Sequence, residues 1–244
     1  MISFLKRNDV EFLCEEEDFS VIPPPIPARK ILPEWYKHLP PKIRKEDKLN
    51  NSTIKRCAPF LDAMTLGWII PLAADVEIVT DDKYQLAFKH SFYKNMVESH
   101  GATQVNADNH PNPHSPKPPM KFLNYWYIKI PKGYSALFIP PLNRADPRFE
   151  CISGCVDDGY MGNENLEYIN FPFFFHQPNY TGIVKAGTPL VQMIVFPRDD
   201  KAIKSCNKVK ARPIKSKEKD LVNRTRRRRS SHESYYRDKL WNRK

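Results

Sequence analysis

Two adjacent carboxylates and a phenol stand together in GCVDDGYMG, the segment from Gly154 to Gly162, where Asp157 and Asp158 are followed by Tyr160. A carboxylate at the head of a tight turn can take a proton from water as a general base, and a flat aromatic beside it can exclude a substituent by contact. The same stretch reads as an ordinary turn, with Gly154, Gly159 and Gly162 supplying positive φ and the aspartates bonding turn amides. On either side lie FIPPLNRA, with Asn143 and Arg144, and LVQMIVFPR, with Gln192. Asn143, Arg144, Tyr160 and Gln192 carry polar or aromatic groups that could line a ligand pocket. Their structural counterpart is an outward polar pair at a strand end and a buried amide that satisfies backbone.

Two further clusters invite chemistry. His100, Asp108, His110 and His114 combine imidazole and carboxylate, ligand types that suit a divalent metal. The prolines of HPNPH fix neither histidine on a regular element, so a solvated loop is expected and no metal site is assigned. Near the C-terminus, Arg224 and Arg226, Arg227, Arg228 and Arg229, with Arg237, Tyr235, Tyr236 and Trp241 nearby, have the composition to neutralise phosphates and stack on bases. Such contacts position a polyanion without specifying its sequence.

The totals bound what can hold these residues. With 244 residues, 23 prolines and 8 glycines, the chain favours fixed extended segments over long helices, and a mainly β body is expected. The five cysteines form no repeated CxxC spacing, which implies neither a disulfide framework nor a zinc ribbon. The net charge of +11 is concentrated: residues 201–244 hold 17 Lys/Arg against 4 Asp/Glu, leaving 22 against 24 in residues 1–200. A near-neutral body with a basic arm assigns any polyanion contact to the arm. No apolar run reaches the ~20 residues of a membrane span and the first residues lack a signal-peptide pattern, so no membrane contact is expected.

The elements follow from pattern. Residues 1–50 are a proline-rich arm, VIPPPIPARKILPEWYKHLPP, with Trp35 and Tyr36 as apolar anchors that dock it on a body. Residues 51–200 are the core domain. A helical turn or two is predicted around Phe60 to Gly67, and ADVEIVTDDKYQLAFK reads as a hairpin about Asp81 and Asp82. SHGATQVNADNHPNPHSPKPPM is a long surface loop. Strands are expected beyond it, at Phe149 to Cys155, Glu167 to Phe175 and Leu190 to Phe196, with a turn at Pro131 to Gly133. Residues 201–244 are a basic tail, helical on docking or disordered.

IPKGYSALFIPPLNRA, GCVDDGYMG, INFPFFF and IVKAGTPLVQMIVFPR occur in that order. The order resembles the trimeric dUTPase and dCTP deaminase superfamily, whose all-β fold is called the β-clip. Gly154, Asp157, Tyr160 and Gly162 match its central motif, Gly187 and Gln192 its last, and Pro141 the proline of a Pro-Arg-Ser segment. The resemblance implies that Asp157 orients or activates water and that Tyr160 packs on a deoxyribose. Here, however, Pro141, Leu142 and Asn143 replace Pro-Arg-Ser, removing the guanidinium and hydroxyl that hold phosphate oxygens, and Arg144 is displaced by two positions. A triphosphate hydrolase without such groups forfeits much of its catalysis. Longer segments, from PARKILPEWYKHLP to AGTPLVQMIVFPR, also resemble a family of proteins found in many tailed phages and in some bacteria, which implies a viral origin but no activity.

The expectation is therefore a mainly β protein with a dUTPase-like β-clip core. It acts as a phage accessory protein, by binding, with a repurposed ligand pocket. The alternatives are a deoxynucleotide hydrolase or deaminase-like enzyme, for which magnesium enters as cofactor, and a virion structural or assembly protein. Expected partners are nucleic acid, bound non-specifically by the tail, and further copies of the chain, a trimer by analogy. The cytoplasm of the infected host cell, or the virion, is the expected location.

Overall fold

The computed structural model describes residues 9–43, 52–83, 85–100, 120–162, 166–199, 212–232, 238–239 and 241. The chain divides into two compact units, Met1–Ile31 with Leu66–Asp199, and Leu32–Thr65 with Asp200–Lys244. This division cuts the expected arm of residues 1–50 at Ile31 and groups its second half with the basic tail.

The first unit is built of short strands. In chain order they are β1 (Glu11–Leu13), β2 (Ile26–Pro27), β3 (Trp68–Pro71), β4 (Val76–Thr80), β5 (Leu86–Lys89), β6 (Val97–Ser99) and β7 (Met120–Phe122). There follow β8 (Tyr127–Lys129), β9 (Tyr134–Ile139), β10 (Phe149–Cys151), β11 (Gly154–Asp157), β12 (Phe171–Phe175), β13 (Thr181–Val184) and β14 (Pro189–Pro197). The main sheet has the order β11-β9-β14-β3-β2, a second has β10-β12-β7-β6, a third has β13-β4-β5, and β1 pairs with β8. Every pairing is antiparallel.

Strand β14 lies inside the main sheet between β9 and β3, and LVQM is buried throughout rather than alternating, so both of its faces are covered there. The core runs from Ile70, Val191 and Met193 on the main sheet to the phenylalanines of INFPFFF. There the rings of Phe122 and Phe173 stack at 3.9 Å between centroids, with Phe149 edge-on to Phe122 at 5.3 Å. The expected hairpin is present: β4 and β5 pair with Thr80 opposite Leu86, and Asp81 Oδ1 accepts the N–H groups of Lys83 and Gln85 at 2.9 and 2.8 Å. Pairing of β6 with β7 sets Ser99 opposite Met120, so the described residues flanking the expected loop are neighbours. Asp108, His110 and His114 lie outside the described residues.

The second unit contains the helix Ala58–Thr65, close to the helical turn expected there, a short helix Glu34–His38, and a helix Ser216–Ser230 in the tail. Tyr36 is buried and stacks on Phe60 at 5.9 Å, with Trp35 edge-on to both rings. Lys55 caps the short helix, its Nζ donating to the carbonyls of Tyr36 and Lys37 at 2.6 and 3.0 Å. Trp241 donates its indole N–H to Asp62 at 2.7 Å.

Candidate functional site

The two aspartates of GCVDDGYMG do different work. Strand β11 runs antiparallel to β9, placing Asp157 opposite Ser135 at the end of the ladder. The buried Ser135 hydroxyl donates to Asp157 Oδ1 at 2.5 Å, and Arg198 Nη1 lies 3.7 Å from Oδ2. The Asp157 side chain nevertheless remains 57% exposed. Asp158 turns back instead. Its Oδ2 accepts the Gly133 N–H at 2.8 Å and its Oδ1 accepts from Arg198 Nη1, while Arg198 N–H reaches Gly133 O at 2.8 Å. The Gly133 amide first, and then the Arg198 guanidinium, hold the Asp158 carboxyl below the usual carboxylate range.

A turn then carries the phenol outward. The N–H groups of Tyr160 and Met161 both reach Asp157 O, at 3.0 and 3.2 Å, and Met161 O accepts from Ile130 N at 2.9 Å. Met161 is buried, which anchors the turn and leaves Tyr160 47% exposed beside Asp157 in sequence. The expectation that Gly154, Gly159 and Gly162 supply positive φ is corrected: the described glycines with positive φ are Gly67, Gly133 and Gly187. Gly162 has a different reason, since a Cβ there would meet Asp158 O at 2.2 Å.

The remaining candidates sit at the other end of β9. Gln192 is opposite Ile139, four residues beyond Ser135, a distance of about 13 Å along an extended strand. Its fully buried amide accepts the Leu142 N–H at 3.0 Å and donates to Leu66 O at 2.6 Å. Asn143 is exposed with φ 58°, in the left-handed region that a tight turn uses. The Arg144 guanidinium points inward, donating to Ile31 O at 2.7 Å and Ala28 O at 3.3 Å, and burial pushes its pKa down. One chain thus joins Asp157 and Tyr160 at one corner, and Asn143, Arg144 and Gln192 at another. It does not bring the two sets together.

The exposed corner can accept a proton at Asp157 and offer the ring of Tyr160 to an apolar or sugar face. Sequence reasoning missed Ser135, Arg198 and the separate task of Asp158. Their signal lies in the registers of β9 with β11 and with β14, which no local pattern reveals. Among the described residues, no group of three His, Cys, Asp or Glu could hold a metal ion. His100 is described, and burial followed by the nearby Lys121 lowers its pKa. Cys151 is buried and its thiol is pushed well up by burial, a packed residue and not a reactive one. Arg224 and Arg226 to Arg229 are exposed on the helix Ser216–Ser230. No helix among the described residues is long and apolar enough to cross a membrane.

The class that these sheets define is a mainly β protein with an antiparallel main sheet. No family model matches the chain, and no curated protein matches it. Among solved structures it is similar to a mutant dUTPase of Staphylococcus bacteriophage 80alpha, at 9% identity and a TM-score of 0.36, over 86% of this chain and 97% of that one. A second mutant of that dUTPase, solved with dUpNHpp, is 10% identical with a TM-score of 0.36, over 86% of this chain and 88% of that one. A mutant dUTPase from phage phi11 of S. aureus, whose structure concerns coordination of a structural Mg(II) ion, is 10% identical with a TM-score of 0.36, over 86% and 96%. Similarity of this degree carries no residue role and no activity to this chain.

Proposed function

We propose that this is a tailed-phage accessory protein with a dUTPase-like β-clip core that acts by binding a ligand, with its nucleotide-type corner repurposed. The order of the four motifs supports the family reading. One observation favours binding over hydrolysis: the guanidinium nearest the expected phosphate segment, that of Arg144, is spent on the carbonyls of Ile31 and Ala28. Phosphoryl transfer depends on cationic donors aimed at the phosphate oxygens, and a guanidinium turned onto its own backbone does not supply them. Gln192 is likewise committed to Leu142 and Leu66. The ligand-facing groups are then Asp157 and Tyr160, with Asn143 facing solvent at the other corner.

Because those corners are about 13 Å apart along β9, we propose that a compact pocket using both forms between copies of the chain. A thermal-shift series with deoxynucleosides, ribonucleosides and their mono-, di- and triphosphates, with and without magnesium, tests the reading. A ligand of the folded state raises the melting temperature by mass action. The expected result is a selective shift lost in Tyr160→Ala and Asp157→Ala, without turnover of the ligand. No shift with any member of the series overturns the pocket.

The hydrolase remains the second reading because Asp157 is exposed and held by a hydroxyl. It requires metal-dependent loss of dUTP or dCTP that Asp157→Asn abolishes, with magnesium arriving on the triphosphate. Unchanged turnover in that variant removes Asp157 as the base.

A further inference from the structure

We propose that one face of the helix Ser216–Ser230 binds the sugar-phosphate backbone of nucleic acid without regard to base sequence. The helix, SKEKDLVNRTRRRRS, is 15 residues long. Its partly buried residues are Glu218, Val222 and Thr225, which share one side at helical spacing, while the rest are exposed. On the outward side, Lys217, Arg224, Arg227 and Arg228 fall within an arc of about 100° at 3.6 residues per turn. Lys219 and Arg226 lie on the far flank of that side, and Arg229 lies on the partly buried side.

Charge on the face is offset from within by one acid only. Glu218 is engaged at the first turn, where its carboxylate accepts from Arg212 at 2.8 and 2.5 Å and from the Lys215 N–H at 2.8 Å. Asp220 is the single acid within the cationic arc. Arg227, Arg228 and Arg229 occupy the last turn, where cations complement the helix dipole, so the helix and its charge reinforce each other.

The chemistry selects the partner. Guanidinium groups bind phosphate oxygens bidentately, and Lys217 to Arg228 spans about 16 Å, a length over which one strand of a duplex presents about five phosphates. A membrane surface would require an apolar stripe opposite the charge, whereas the apolar residues here are Leu221 and Val222 alone. Base-edge readout is not implied, because Arg and Lys on an otherwise polar helix neutralise phosphates wherever they lie.

The test uses the full chain with fluorescent random-sequence duplex DNA and single-stranded RNA in a salt series. The expected result is binding that weakens linearly on a log–log plot, with a slope of about −3 to −4 on duplex DNA. The variant Lys217→Gln/Arg224→Gln/Arg227→Gln/Arg228→Gln should bind at least about tenfold more weakly and lose most of that slope. The variant Lys219→Gln/Arg226→Gln/Arg229→Gln should keep its slope within about one unit. Far-UV circular dichroism establishes that both retain their helix. Equal losses in the two variants would reduce the effect to net charge and overturn the face. Salt-insensitive or absent binding by the full chain, or binding to phosphatidylserine vesicles in place of nucleic acid, would overturn the site. The DNA and RNA arms show which nucleic acid it prefers.

Discussion

At the scale of residues, the paired aspartates divide between holding and offering. Asp158 accepts a backbone N–H and a guanidinium, and hydrogen bonds to a charged group are worth more than neutral ones. Asp158→Asn should lower unfolding free energy by on the order of 1–2 kcal/mol, measured in urea, whereas Asp157→Asn should stay within about 0.5 kcal/mol. The pH dependence has a definite sign. A carboxyl depressed in the folded state contributes fully above its unfolded pKa of about 3.9, and that contribution is lost as pH falls through the lower folded value. The Asp158→Asn protein should therefore show a flatter stability profile below about pH 4 than the native one. Identical profiles would mean that the Gly133 and Arg198 contacts contribute nothing. Gln192→Leu keeps volume but takes the partner from the part-buried Leu142 N–H and Leu66 O, a loss of roughly 1–2 kcal/mol that chemical denaturation would read. A stable variant would contradict a bridging role for that amide.

At the scale of elements, two glycines with the same backbone sign separate strain from crowding. Gly67 has φ +70° and a Cβ there would lie 2.0 Å from Met193 O, while Gly133 has φ +84° and open space around it. Gly133→Ala should cost only the left-handed penalty of about 1 kcal/mol. Gly67→Ala adds a backbone clash and should cost at least about 2 kcal/mol, read as the larger fall in melting temperature. Reversal of that order would mean that the β3–β14 packing yields easily. In the second sheet, Phe173 is fully buried against Phe122 and Phe149, so Phe173→Ala should cost about 3–5 kcal/mol. The strands around it were legible because aromatic and β-branched runs between turn residues have few other uses. The order of the sheets was not legible, since β14 pairs with β3 and β9 across long stretches of chain.

At the scale of the whole molecule, the separation of the two corners along β9 makes assembly a functional question. Light scattering of the purified protein should report more than one copy if the ligand pocket uses both corners. A strict monomer that still gives the selective thermal shift would confine the pocket to Asp157 and Tyr160. The basic tail poses an independent question, because its exposed cations lie on a helix in the other compact unit.

The sequence by itself determined the mainly β character, the hairpin about Asp81, the concentration of positive charge beyond residue 200 and the short list of residues able to do chemistry. Those properties follow from local pattern, turn chemistry and composition, which act over a few residues. Only the tertiary structure decided which candidates are available to a ligand. Asp157 is exposed and Asp158 is not because Gly133 and Arg198, distant in the chain, converge on one carboxylate. Arg144 and Gln192 are occupied because Ala28, Ile31 and Leu66 bring carbonyls to them. Hydrogen-bonding capacity is a property of a residue, but how it is used depends on partners that strand pairing brings from elsewhere in the chain.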